Sequence, residues 1–581
     1  MPAIRPSVIG ALLLLSLTGC NTGPMHDLVL DEDFAKPPPA AKSQAETHPI
    51  QPVGGLEKTE EPSKEVEVPS PPKPRTVFQA VQDYCRCLRS PKPPPDENKA
   101  DGVNANGNGK KEQPPNGDSN GKDTNEKKQA APPAGDQTKS KNGDNGAEKE
   151  KDKNGDDKGK EDKDKEPEIQ WYSAHAQATM DAQYHGTFHS PYVGPNSLQP
   201  RPEYATSLTA TLFLDYRLWE CDHYSAEFVF NPEIAGGRGF SNVNGIAGFT
   251  NGDITRVGVP EPTPYFARVF LRQTWGLGGE QEKVEDEANQ IAGKRDIDRF
   301  TLTAGKFTFT DVIDNNTYSH DPRTQMQNWS MMYNGAWDYP ANVRGYSYGL
   351  AMELNEKCWA LRYAVMAEPA VANGALIDPR FTEAFGQALE WEKRWNLDEH
   401  PGRARLMGYL NRAHMGSYAV ALDEQPVDPV VTATRAYRYK YGFGLNVEQE
   451  LRRDLGFWLR LGWSDGQNEA WAYTPIDRTA ALGLLLKGTR WERPNDTIGL
   501  GAAFNGLATT HRDYLSAGGL DFSIGDGRLN YGTETILEFD YRFAIIKGIY
   551  ASFDFQEVFN PAYNRDRGPV SVESLLVHLE F

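Results

Sequence analysis

The strongest constraint on this chain is a period of two. Near its end Leu575, Val577, Leu579 and Phe581 are apolar, while Ser574, His578 and Glu580 fall between them, with Leu576 the one exception. Successive side chains of a strand point to opposite faces, so the segment has one apolar face and one mostly polar face. Such a strand separates an apolar medium from water.

The same pattern recurs over the last two-thirds of the chain. Ala174, Ala176, Ala178, Met180, Ala182 and Tyr184 alternate with polar residues, as do Leu208 to Leu218 in steps of two. Tyr439 to Val447 and Leu455 to Trp463 repeat it around a short turn at Arg452 to Asp454. Ile498 to Phe504, Leu537 to Phe543 and Ile549 to Phe555 follow. We count about sixteen such segments, an even number in the range of outer-membrane β-barrels, which set lipid outside and water inside. Tyr439, Trp463 and Phe543 stand at segment ends, which suits an interfacial aromatic belt. A soluble sandwich alternates too, but so many amphipathic strands leave a second face to cover, and nothing in the sequence covers it. The expected fold is therefore an all-β, antiparallel transmembrane barrel of about 16 strands over residues 169–581. Composition agrees. With 38% hydrophobic residues and a mean hydropathy of −0.65 the chain is too polar for a helical membrane protein. No stretch beyond the first twenty residues gives the apolar run of a membrane helix. The 54 glycines and 11% aromatics suit strands and turns. A net charge of −19 disfavours nucleic acid as a partner.

The front of the chain is different. Residues 1–20 read as an export signal, with Arg5 ahead of an apolar run from Val8 to Leu17. Leu17-Thr18-Gly19-Cys20 resembles the lipobox of bacterial lipoproteins, which implies acylation of Cys20 and, with Asn21 after it, sorting to the outer membrane. Residues 21–168 carry proline clusters and then a Lys/Asp/Glu/Asn/Gly tract, too poor in apolar surface to offset the entropy of ordering. They are expected to form a solvated tether, with a short amphipathic helix over residues 76–88. Five cysteines (Cys20, Cys85, Cys87, Cys221, Cys358) are too few and too scattered to imply a disulfide scaffold or a zinc site. We expect no metal and no cofactor.

Two places hold candidate chemistry. Arg268 and Arg272 share one face of Tyr265 to Trp275, opposite Ala267, Val269 and Leu271. Arginine is costly against lipid and cheap against water, so both are expected to face the lumen. The second place follows the strand Phe300 to Lys306. It holds Asp311, Asp314, Asn315, Asn316, Arg323 and Trp329 in a segment long for a barrel connection. Carboxylates, amides and guanidinium make paired hydrogen bonds to neighbouring hydroxyls, and the C–H face of a sugar packs on aromatic rings. Arg268, Arg272 and Lys306 are expected to line one side of a bore that Asp311, Asp314, Asn315, Asn316, Arg323 and Trp329 narrow. The bland alternative is a loop folded on the wall with its polar groups bonding each other.

From His175 onward the chain resembles the OprB family of carbohydrate-selective outer-membrane porins. The matching stretches are His175–Thr179, Phe188–Tyr192, Gly194–Leu198, Phe230–Gly237, Ala247–Gly252, Tyr265–Thr274, Gly305–Phe307, Tyr318–Gln325 and Asp338–Pro340. The resemblance implies a bacterial outer-membrane porin passing mono- and small oligosaccharides by diffusion, with outer-membrane lipid and other copies of itself in a homotrimer as partners. It does not extend to residues 21–168, and a lipobox on so long a tether departs from the usual family member. Rival readings are a less selective general porin, an envelope tether and an outer-membrane enzyme. An enzyme needs a nucleophile and base held together. His175, His185, His189 and Ser190 lie near one another but form no recognisable motif.

Overall fold

The structure, a computed structural model, describes residues 169–253, 260–472 and 474–581. The export signal, Cys20, the tether and the 76–88 helix all lie outside the described residues. The strands are β1 (Tyr172–His185), β2 (Glu203–Cys221), β3 (Tyr224–Gly237), β4 (Thr263–Gly276), β5 (Gln281–Val284), β6 (Gly293–Asp296), β7 (Arg299–Phe307), β8 (Ser347–Glu356) and β9 (Trp359–Ala367). They continue with β10 (Phe385–Leu397), β11 (His400–Met415), β12 (Ala436–Arg452), β13 (Leu455–Ser464), β14 (Arg478–Lys487), β15 (Thr497–Gly506), β16 (Glu534–Ile546), β17 (Ile549–Phe559) and β18 (Val570–Glu580). Among the described residues sixteen of these close into one antiparallel barrel, while β5 and β6 form a separate hairpin. β1 closes on β18 in the register Ala178↔Leu579 and Ala182↔Leu575.

The period of two decides which side chains meet lipid. Leu575 and Val577 are exposed on the outer wall, and Leu576, the exception to the pattern, is buried on the inner one. In the β16–β17 pair Phe539 and Phe553 face out, whereas Asp540 and Asp554 pair in register and are buried inside. A polar inner row is tolerable because it meets water or other polar groups rather than acyl chains.

Turns at one barrel end are short (residues 222–223, 357–358, 398–399, 453–454, 547–548), and those at the other are long, which sets the first as periplasmic. There is one long exception at the periplasmic end: residues 277–298, which carry β5 and β6. Cys221, the last residue of β2, and Cys358, in the β8–β9 turn, are each engaged in a disulfide. The sequence reading did not anticipate a disulfide at either position.

Two departures from an empty cylinder shape the interior from the outer end. The first is the segment 308–346, which enters the barrel and packs on the wall of β12, β13 and β15–β17. It includes the short helix α1 (Trp329–Met332). Asn446 donates to Asp314 at 2.7 Å, Asn505 to Ser330 at 2.7 Å and Asn328 to Gln556 at 2.9 Å. Lys440 meets Asp338 at 3.0 Å. Phe309, Trp329, Trp337 and Tyr339 form a buried aromatic core beneath it. Gly456 and Gly462 permit this approach, because a Cβ on either would collide with Tyr318 or Asn334. The second is a cap of outer loops with helices α2 (Tyr418–Glu424) and α3 (Thr509–Ser516). At its centre buried His511 lies 2.9 Å from Asp477 and 3.1 Å from Asp521, and stacks on Tyr418 at 4.2 Å. Tyr418 donates to Asp521 at 3.0 Å.

Candidate functional site

With that segment packed against one wall, the open space runs along the other, past β1–β4 and β7–β11. It has two chambers. The outer one, of about 430 Å3, is walled by Tyr265, Tyr346, Trp329 and Tyr339 among the rings, and by Glu233, Asp253 and Arg323 among the charges. The inner one, of about 490 Å3, is rich in guanidinium: Arg272, Arg295, Arg299, Arg362, Arg403 and Arg405 line it. Arg268, Asp311, His320, Ala288 and Asn289 line both, and so form the neck between them.

Most cations in the bore have a carboxylate partner, whereas Arg344 donates to the Ala235 carbonyl at 3.3 Å. Arg268 grips Asp311 with two parallel bonds, Nε to Oδ2 at 2.8 Å and Nη2 to Oδ1 at 2.6 Å. The planar fork fits a carboxylate in just this way. Arg323 donates to Asp253 at 2.9 Å and lies 3.9 Å from Glu233, which accepts from Thr211 and from the Tyr265 hydroxyl. In the inner chamber Arg362 reaches Glu353 at 2.6 Å, Glu390 at 2.9 Å and Glu392 at 3.1 Å, and Arg405 reaches Glu392 at 2.7 Å. The aromatic wall is tied to the same charges: Arg344 lies 4.3 Å over the Tyr265 ring and Arg268 lies 5.3 Å over Tyr346. At the neck, burial pushes the His320 imidazole down to about 4, so it is neutral at ordinary pH, a form with one ring nitrogen able to donate and one able to accept.

The residues singled out from sequence separate into three groups. Arg268, Arg272, Asp311, Asn315, Arg323 and Trp329 line the chambers. Asp314 and Asn316 do not. Asp314 is buried under Arg460 at 3.2 Å and accepts from the Asn334 amide, and Asn316 donates to Asn446 at 2.7 Å. They fix the segment to the wall, which was the bland reading of this segment. Lys306 is a correction outright. It continues the outer row of Phe300, Leu302 and Ala304. Its ammonium donates to the Phe266 carbonyl at 2.7 Å and lies 5.9 Å over the Tyr348 ring, and both Phe266 and Tyr348 are exposed on the outer wall. The aliphatic stem lies along apolar surface while the charge finds a carbonyl. The sequence reading missed Glu233, Asp253, Tyr265, Tyr346 and Asn289. For Glu233 and Tyr265 the inward phase of β3 and β4 was an available signal; Asp253 in an outer loop, Tyr346 in the inserted segment and Asn289 in the hairpin have no strand phase.

A closed barrel with a lipid-facing apolar belt, narrowed by an inserted segment to a charged neck, is an outer-membrane porin. The chain belongs to the carbohydrate-selective porin, OprB family, whose model matches residues 225–581. Among solved structures, a high-pH structure of Pseudomonas putida OprB aligns with a TM-score of 0.53 at 15% identity, covering 71% of this chain and 94% of that one. The Acinetobacter baumannii outer-membrane channel DcaP aligns at a TM-score of 0.39 and 9% identity, covering 71% and 97%. No curated protein matches the sequence. The protein is thus a channel of the bacterial outer membrane.

Proposed function

We propose that the bore passes mono- and small oligosaccharides down their gradient, with no catalytic step. The observation that carries this is the pairing of an aromatic wall with a saturated ion pair at one neck. A pyranose offers a C–H face to Tyr265 or Tyr346, while its hydroxyls exchange hydrogen bonds with Arg268, Asp311 and neutral His320. Opposed charges across a constriction orient water and favour neutral, hydroxyl-rich solutes over apolar ones. The family's carbohydrate selectivity supports the same reading.

The test is liposome swelling with the folded protein, comparing glucose, a disaccharide and a neutral amino acid of similar size to glucose. Faster sugar entry is expected. Arg268→Ala with Arg272→Ala should narrow the difference between sugar and amino acid while the barrel still assembles. Equal entry of all three solutes through the unaltered protein would reduce the channel to a general porin.

A further inference from the structure

We propose that the periplasmic hairpin, residues 277–298, is a second constriction element whose inturned tip sets the size limit of the channel from below. In a barrel of this kind periplasmic connections are short, and six others here are turns or a single short helical turn. This one projects β5 and β6, paired from Gln281↔Asp296 to Val284↔Gly293, and then turns its tip back into the barrel.

Three sets of contacts hold that course. At the base, Asp296 accepts from His223 at 2.8 Å, from the Gly278 amide at 2.7 Å and from Gln281 at 2.9 Å. Lys357, next to the disulfide-bonded Cys358, meets Glu280 at 2.7 Å. Beyond the arms, Asp286 accepts from Ser173 at 2.5 Å and from Gln170 at 3.0 Å and lies 3.0 Å from His175, all at the start of β1. At the tip, Arg272 donates to the Asn289 carbonyl at 3.0 Å and Arg217 to the Ile291 carbonyl at 3.4 Å. Ser173, Arg217 and Arg272 belong to the inner face of the wall, so the tip rests inside the bore. Asn289 makes the turn with φ of 63°, a left-handed conformation asparagine tolerates better than most residues.

The result is geometric. Ala288 and Asn289 line both chambers, facing the same neck that Arg268 and Asp311 approach from the other side. The neck is therefore pinched between an outer segment and a periplasmic one. A solute must clear both, whatever its chemistry, so the inference goes beyond sugar preference and does not depend on it.

The experiment uses single-channel conductance in potassium chloride, with polyethylene glycols of graded size to measure exclusion. Two variants of the full-length protein are compared with the parent: residues 286–291 replaced by Gly-Gly, and Ala288→Trp. Folding of each is checked by the heat-dependent mobility of the barrel. Shortening the tip should raise conductance on the order of two-fold and admit larger polymers, and Ala288→Trp should lower both. If the shortened variant does not fold, Ala288→Trp alone decides. Unchanged conductance and polymer cut-off in a folded variant overturn the proposal. Because neither readout contains sugar, loss of sugar preference in swelling assays would leave this result standing, and the reverse holds too.

Discussion

Asp311 and Asp314 lie in the same turn of chain, each bound by an arginine from the barrel wall, yet they do different things. The Asp311 and Arg268 side chains keep 28% and 15% of their exposure, and both border the bore. For Asp314 and Arg460 the figures are 4% and 0%, and both are sealed beneath the inserted segment. The first pair can trade its bonds with a passing solute because water already competes for them. The second cannot, since removing either partner strands a charge out of water. One ion-pair chemistry therefore yields a selectivity device on one side of the segment and a rivet on the other.

The comparison can be broken most forcefully at the rivet. Arg460→Ala should cost about 3–5 kcal/mol, the usual penalty for orphaning a buried charge. It should also let the segment lift, raising single-channel conductance as the thermal midpoint falls. A stable variant with parental conductance would show that the segment does not depend on this pair. His511 offers a smaller, local version of the same effect. Its burial favours the neutral ring, but Asp477 and Asp521 outweigh that and raise its pKa to about 9 from 6.5. The raised value means the stabilisation is complete below pH 6.5 and is lost as pH rises through about 9. Hydrogen exchange over residues 509–516 should thus accelerate between about pH 7 and about pH 10 while the barrel strands stay protected; equal protection of α3 at both values would contradict this.

On the bore side effects should be weaker in stability and stronger in transport. Asp311→Asn should change stability by no more than about 1 kcal/mol, as for a partly exposed pair. It frees the Arg268 guanidinium, so the reversal potential in a salt gradient should move toward anion preference. An unmoved reversal potential would remove Arg268 from the neck's electrostatics. The smallest effect belongs to Lys306→Ala. On the outer wall it should alter stability by within about 0.5 kcal/mol and leave both sugar swelling and ion selectivity at parental levels. Altered selectivity would return Lys306 to the lumen.

The strands were legible because a lipid-facing wall enforces its period residue by residue. Leu208 to Leu218 and Tyr439 to Val447 could hardly be read otherwise. The same period, carried one strand further, would have placed Lys306 correctly, since it falls in the row of Leu302 and Ala304 rather than of Thr301 and Thr303. The inserted segment was legible as a region but not residue by residue. Nothing in the run from Asp311 to Asn316 tells which carboxylate meets water, because that depends on Arg268 and Arg460, which are remote in sequence. The hairpin tip left no mark, as its course is set by Arg217 and Arg272, which are remote in sequence, and not by local pattern.

The inserted segment has a consequence for how such a channel can diversify. The wall is register-locked: adding strands or shifting pairs would move every side chain between oil and water. The contents are not so bound. A few residues exchanged on the free side of residues 308–346 retailor the aperture without disturbing a single wall hydrogen bond. Strand number here caps the width of the passage, and the lining, like a sleeve in a pipe, decides what fits through it.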